Sequence, residues 1–273
     1  DVCLHFSLKN NWSLDEDSTV TRLRKFVEES GRLGFKRVLL VSGGGHAKTR
    51  SCEIINRLAE TGGLSNGSAE IHCVYNPFFP DEKDRQDELR SLKRKLESGL
   101  CSGIWLQIGS DLDRLEDGLR QLREVEQSTG VSVDLFGSIF VPSKQLLAQQ
   151  RFRPWRGVFL SDEYLHDVEA ARRTTLGALR IFRDHGVVPL VESPVTNERQ
   201  LAAAKSLLAE GLGDKASVPP CGRPRGRSER RGPAQAAAEN RAGGAFGHRG
   251  PQEGPSGLRL KIAGRGLGFG LRG

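Results

Sequence analysis

The chain has 273 residues, 37% of them hydrophobic, and a formal net charge of +7, which is enough for one large domain or two small ones. The charge is lopsided: residues 214–273 hold 12 Lys and Arg against 4 Asp and Glu, which leaves 29 against 30 in residues 1–213. The basic balance therefore belongs to the tail and says nothing about what the body binds. No apolar run approaches the roughly 20 residues that a membrane-spanning helix needs.

Taken in chain order, residues 1–213 alternate strand and helix. The strands are expected at Val2–Leu8, Arg37–Ser42, Glu70–Tyr75, Gly103–Ile108, Val133–Val141 and Val187–Val191. Most are continuous apolar runs, which suits parallel strands covered on both faces. Helical patterns lie between them, at Ser18–Gly31, Thr49–Thr61, Asp81–Gly99, Leu112–Gln127, Asp162–Gly186 and Asn197–Glu210. Repeated βα units imply right-handed crossovers and a parallel sheet. By pattern alone, six such units fit a doubly wound sheet and a barrel equally well.

Several stretches carry candidate chemistry. His5 stands in the first apolar strand, where a core histidine and a ligand contact are both open readings. Ser42-Gly43-Gly44-Gly45-His46 follows the second strand, and such a glycine loop lets backbone N–H groups approach a phosphate. It is not a nucleotide-triphosphatase loop, because Ser42 and Ala47 stand where that motif needs glycine. The helix at Asp81–Gly99 begins with acids and ends in Lys93-Arg94-Lys95, as its dipole favours. Lys95 flanks the stripe of Leu89, Leu92 and Leu96 and can reach inward, and Glu88 shares its side seven residues earlier. The next strand ends in Gln107-Ile-Gly-Ser-Asp111. Gln107 can donate and accept at once, and Asp111 suffices as an N-cap for the following helix. The histidines show no metal-ligand spacing with Cys or carboxylates, so no metal is expected.

The run Leu92-Lys93-Arg94-Lys95, a Gly99 stop and an apolar strand ending in Gln107 and Asp111 resembles the methylenetetrahydrofolate reductase family. Gly137–Gln145 and Arg183–Leu190 followed by Thr196-Asn197 are similar to further segments of that family in the same order. The resemblance implies an α/β fold, a partial (β/α)8 TIM barrel of about six βα units over residues 1–213. The family's first two strands would precede Asp1. It implies FAD as cofactor, touched by His5, Gly43, Glu88, Arg94 and Lys95, with NADH or NADPH as reductant. A folate substrate would meet Gln107 and Gln145, with Lys95 and Gln107 turned into one cradle.

The implied activity is reduction of 5,10-methylenetetrahydrofolate to 5-methyltetrahydrofolate in one-carbon metabolism. Two departures bear on it: Ser42-Gly43-Gly44 replaces the family's Arg-Gly-Asp, and the acid of the family's first strand is not in this chain. Whether the chain is an enzyme is thus left open. A non-catalytic barrel that binds a ligand or partner, or another flavin oxidoreductase such as a proline dehydrogenase-like enzyme, are the alternatives. The chain has no Met and begins with Asp1, as expected of a piece of a longer protein. No signal peptide is visible and the five Cys form no CxxC pair, so reduced thiols, a cytoplasmic setting and no membrane partner are expected. A homo-oligomer is open. Residues 214–273, with 14 Gly, cannot bury enough surface to order and are expected to be a disordered tail. Its basic Gly222–Gly232 segment could bind RNA electrostatically but lacks interleaved aromatic residues to stack on bases.

Overall fold

In the computed structural model, the described residues are 2–11, 15–42 and 50–213. The expected glycine-loop contact at Gly43 and the whole tail at 214–273 lie outside them. Six strands form one sheet: β1 (Cys3–Ser7), β2 (Arg37–Val41), β3 (Glu70–Tyr75), β4 (Cys101–Leu106), β5 (Asp134–Ile139) and β6 (Val188–Val191). Every pair is parallel, and spatial order equals chain order. A doubly wound sheet reverses direction at a switch point; this one never reverses, as in a barrel wall.

Curvature confirms it. The rings of His5 on β1 and Trp105 on β4 stand 6.0 Å apart, edge to face, and the Arg37 guanidinium on β2 lies 5.7 Å from the Phe136 ring on β5. In each case two strands intervene, and a flat sheet would hold the backbones about 14 Å apart. The sheet is curled into half of a barrel, and among the described residues β1 and β6 are each paired on one side only.

Among the described residues the helices are α1 (Leu8–Asn11), α2 (Glu16–Arg32), α3 (Ser51–Glu60), α4 (Glu82–Glu97), α5 (Leu112–Thr129), α6 (Lys144–Phe152), α7 (Asp162–His166), α8 (Val168–His185) and α9 (Glu198–Leu212). The larger helices cover the convex face. There the outward residues Val38, Leu40, Ile71, Cys73, Ile104, Leu106 and Leu135 join Leu23, Val27, Ile55, Leu58, Leu92, Leu96, Leu122 and Phe182 in one core. None of these helices is long and apolar enough to cross a membrane.

Three expectations are corrected. The helix expected at Asp162–Gly186 is two helices, because the Asp167 side chain accepts from the Glu169 N–H and caps α8 at an extended backbone conformation. Ser143 likewise caps a helix, α6, that is not among the helices expected from the sequence. And the continuous apolar strands are covered by helices on one face, while the other carries His5, Arg37, His72 and Trp105.

Glycine decides how closely one helix approaches. A Cβ on Gly137 in β5 would fall 2.3 Å from Cζ of Phe182, a residue of α8 only 2% exposed. Gly137→Ala is expected to lower stability by about 1–3 kcal/mol, the usual penalty of an extra methyl in a filled core, read as a lower urea midpoint at unchanged slope.

Candidate functional site

The concave face is the candidate site. Alternation along parallel strands turns His5, Arg37, Glu70, His72, Trp105, Phe136 and Ser138 away from the helices. At its centre the Trp105 indole N–H donates to Nδ1 of His72 at 3.0 Å. Indole nitrogen can only donate, so this bond places the His72 proton on Nε2. That Nε2 is buried without a hydrogen-bond partner, 3.8 Å from a Glu70 carboxylate oxygen. His72 fits here because Gly103 on β4 has no Cβ; one would fall 2.6 Å from the imidazole. Phe136 closes the cluster, 5.3 Å from Trp105 and 5.4 Å from His72 between centroids.

His5 stands at the open side of this cluster. Burial holds its imidazole below the ordinary histidine range, although Glu192 opposes that shift. At neutral pH it is therefore uncharged and can both donate and accept. Ser138 donates to the same Glu192, which ties the end of β6 to β5.

The carboxyl-end rim is built by Asn76, Gln107 and Gly157. Asn76 Nδ2 donates to the Gly157 carbonyl at 2.9 Å, and Asn76 Oδ1 accepts from the Phe78 N–H at 3.1 Å. Gln107 Oε1 accepts from the Ile108 N–H at 2.9 Å. Gly157 takes a left-handed φ of +80°, and even a Cβ there would only graze both amide nitrogens at 3.8 Å. The rim segment at 155–160 is anchored by a bridge between Gly109 and Phe159 and by Ser110 N–H donating to the Phe159 carbonyl at 3.1 Å.

The structure brings some of the expected site residues together and separates others. Glu88 and Lys95 do meet: Lys95 Nζ lies 3.4 Å from Glu88 Oε1 and donates to the Val74 carbonyl at 2.7 Å. Lys95 is 3% exposed, sealed between α4 and the sheet. Burial disfavours its charge most strongly, but Glu88 and the thiols of Cys73, Cys52 and Cys101 together outweigh that and raise its pKa. Its inward reach is as the helix phase implied, yet its ammonium is committed to the fold. Lys95 and Gln107 thus do not share one cradle: one braces the helix layer, the other sits on the rim. Arg94 and Gln145 are both exposed, Gln145 in the first turn of α6, and neither joins the concave cluster. Asp111 is the N-cap of α5, accepting from the Arg114 N–H at 3.0 Å. Among the described residues no cluster of His, Cys, Asp and Glu suits a metal ion.

His72, Trp105, Arg37 and Glu192 were missed in the sequence. A signal was present: polar or aromatic residues recur at alternate positions inside runs that otherwise read as apolar.

No protein-family model matches the chain, and no curated protein matches it. Among solved structures it is similar to a protein from Clostridium thermocellum that binds two copies of 5-methyl-5,6,7,8-tetrahydrofolic acid, at 12% identity over 68% of this chain and 68% of that one, with a TM-score of 0.46. Another uncharacterised protein gives 16% identity over 71% of this chain, which covers 44% of that protein, with a TM-score of 0.36. Endonuclease IV from Thermus thermophilus gives 15% identity over 76% and 97% of the two chains, with a TM-score of 0.29. Overlaps this loose carry neither residues nor ligands across; the partial TIM-barrel-like fold follows from strand order and curvature.

Two outcomes are expected. Lys95→Met removes the ammonium from the Val74 carbonyl and leaves the partly buried Glu88 without its charge partner, and should lower stability by about 3 kcal/mol, the lower end for breaking a buried pair. The double variant with Glu88→Leu should recover part of that loss in urea titrations. Stability should also fall on the alkaline side. Burial pushes the Cys3 thiol up to about 11 and the Tyr164 phenol up to about 12, so the folded state keeps protons that the unfolded chain releases. Their contribution is whole below the unfolded values near 9 and 10 and is lost as pH rises through the folded ones. Tyr164→Phe should flatten the decline of the urea midpoint between about pH 10 and 12; an unchanged profile would show that this phenol is not responsible.

Proposed function

We propose that the concave face binds a planar, nitrogen-rich ring of the pterin type, and that the protein is a folate-binding member of the half-barrel class. The observation that carries this is the Trp105 platform: a half-buried indole locked to His72, with neutral His5 edge-on at 6.0 Å. Such a platform can stack on a fused heterocycle, while His5 can both donate to and accept from its amide-like edge. Gln107 supplies a side-chain amide on the rim, while the Asn76 amide is taken up by Gly157 and Phe78. The aromatic body with few convergent polar groups is the common make-up of a small-molecule site.

Reduction of methylenetetrahydrofolate with FAD, and NADH or NADPH as reductant, is the finer reading that the sequence resemblance implies. The described residues suit a flat ring better than they suit the diphosphate of FAD. The one buried cation of α4, Lys95, already donates to Val74 and pairs with Glu88, and Arg94 is exposed. These residues therefore support ligand binding ahead of hydride transfer. The committed Lys95 favours the second reading, a barrel that binds without catalysis.

The test is a titration of the full chain with 5-methyltetrahydrofolate, and separately with FAD, followed by calorimetry and tryptophan fluorescence. Saturable binding of the folate is expected, with Trp105→Leu and His5→Ala each weakening it by about tenfold, the scale of one good aromatic contact or hydrogen bond. Folate affinity unchanged in both variants would remove the proposed site. FAD binding with absorbance bleached by NADPH would restore the reductase reading.

A further inference from the structure

The segment Arg151-Phe152-Arg153-Pro154-Trp155-Arg156 plays no part in the concave cluster. Phe152 closes α6 with 93% of its surface exposed, far more than any other large apolar residue described. Arg151, Arg153 and Arg156 flank it and are exposed too. Among the described residues none of the three arginines forms an ion pair, and the nearest acid in sequence that does, Glu163, pairs with Arg173 at 3.7 Å.

The exposure is built into the fold and is not fraying. The Arg153 N–H donates to the Gln149 carbonyl at 2.7 Å and the Val158 N–H to the Trp155 carbonyl at 3.1 Å. The Trp155 N–H donates to Oε1 of Gln150, a side chain only 2% exposed. The Trp155 ring packs edge-on against Phe140 at 5.2 Å. The backbone is thus pinned from beneath while one aromatic ring and three guanidinium groups are held out in water.

We infer that this turn is a docking surface for single-stranded nucleic acid, with Phe152 stacking on a base and Arg151, Arg153 and Arg156 meeting the flanking phosphates. Stacking on an exposed aromatic ring combined with backbone neutralisation is how sequence-tolerant single-strand binders work. Guanidinium also suits phosphate through its planar fork. An anionic membrane offers the same charge but wants several neighbouring apolar side chains to insert. Among the described residues the other exposed large apolars, Val2, Leu33, Val195 and Leu201, lie elsewhere in the chain, so the phenyl ring has no exposed large apolar neighbour in its own segment. This surface is independent of the folate reading.

The test measures a fluorescein-labelled oligouridylate binding to the full chain by anisotropy across a salt series, beside vesicles containing about 30% phosphatidylserine as an anionic surface. Phe152→Ala should weaken RNA binding by about 5- to 150-fold, the range for one stacked base, without changing the salt slope; Phe152→Tyr should restore it. Replacing the three arginines by glutamine should reduce the slope of log affinity against log salt by about 2, from about 0.7 for each phosphate no longer neutralised. Circular dichroism should be unchanged, since all four side chains are exposed. RNA binding that ignores both sets of changes would assign it to the basic tail and overturn the inference, as would no binding, or Phe152-dependent binding to vesicles alone.

Discussion

Trp105 on β4 touches His5 on β1 with two strands between them, and this contact is possible only because the sheet curls. The curl follows from winding. Six parallel strands laid down in chain order, each returned by a helix on one face, accumulate right-handed twist in one sense. With the larger helices on the convex side, the concave face is left for side chains from distant strands to converge. Residues that would stand in separate rows on a flat sheet form one cluster, and the candidate ring-binding site is that cluster.

The same division of faces explains why a polar network survives inside the fold. The convex face is the apolar core, and Lys95 enters it with both partners supplied: a carboxylate from its own helix two turns earlier and a strand carbonyl. Removing a charge from water is expensive unless it is paired and hydrogen-bonded. The pair therefore ties α4 to the end of β3 and positions Asn76, whose backbone N–H faces Glu88 at 3.4 Å. The concave face is organised differently, by a tryptophan that can only donate and a histidine that must accept. The contribution of Lys95 to ligand chemistry is thus indirect, through the rim that its helix supports.

The rim joins both proposals without making one depend on the other. Residues 155–160 lie across Gln107 and Asn76, with Trp155 packed inward and Phe152 turned outward. A segment anchored at Gln150, Phe140 and Asn76 can present its outer surface at little ordering cost, because its backbone is already fixed.

Helix α4 and its inward-reaching lysine were legible in the sequence because the apolar stripe recurs with helical period and Lys95 falls beside it. Helix α6 was legible too, had Ser143 been taken as a cap ahead of Leu146, Leu147 and Gln150. The break at Asp167 has the same kind of local cause. What the sequence determined by itself was the alternation of strand and helix, the parallel sheet and the identity of the covered helix faces, since these depend on neighbours within a turn or two. Barrel against open sheet, the pairing of Trp105 with His72, the commitment of Lys95 to Val74 and the gathering of His5, Arg37 and Phe136 were decided only by tertiary structure. Each depends on strand register and sheet curvature, which set distances between residues some 20 to 100 positions apart and leave no mark in local periodicity.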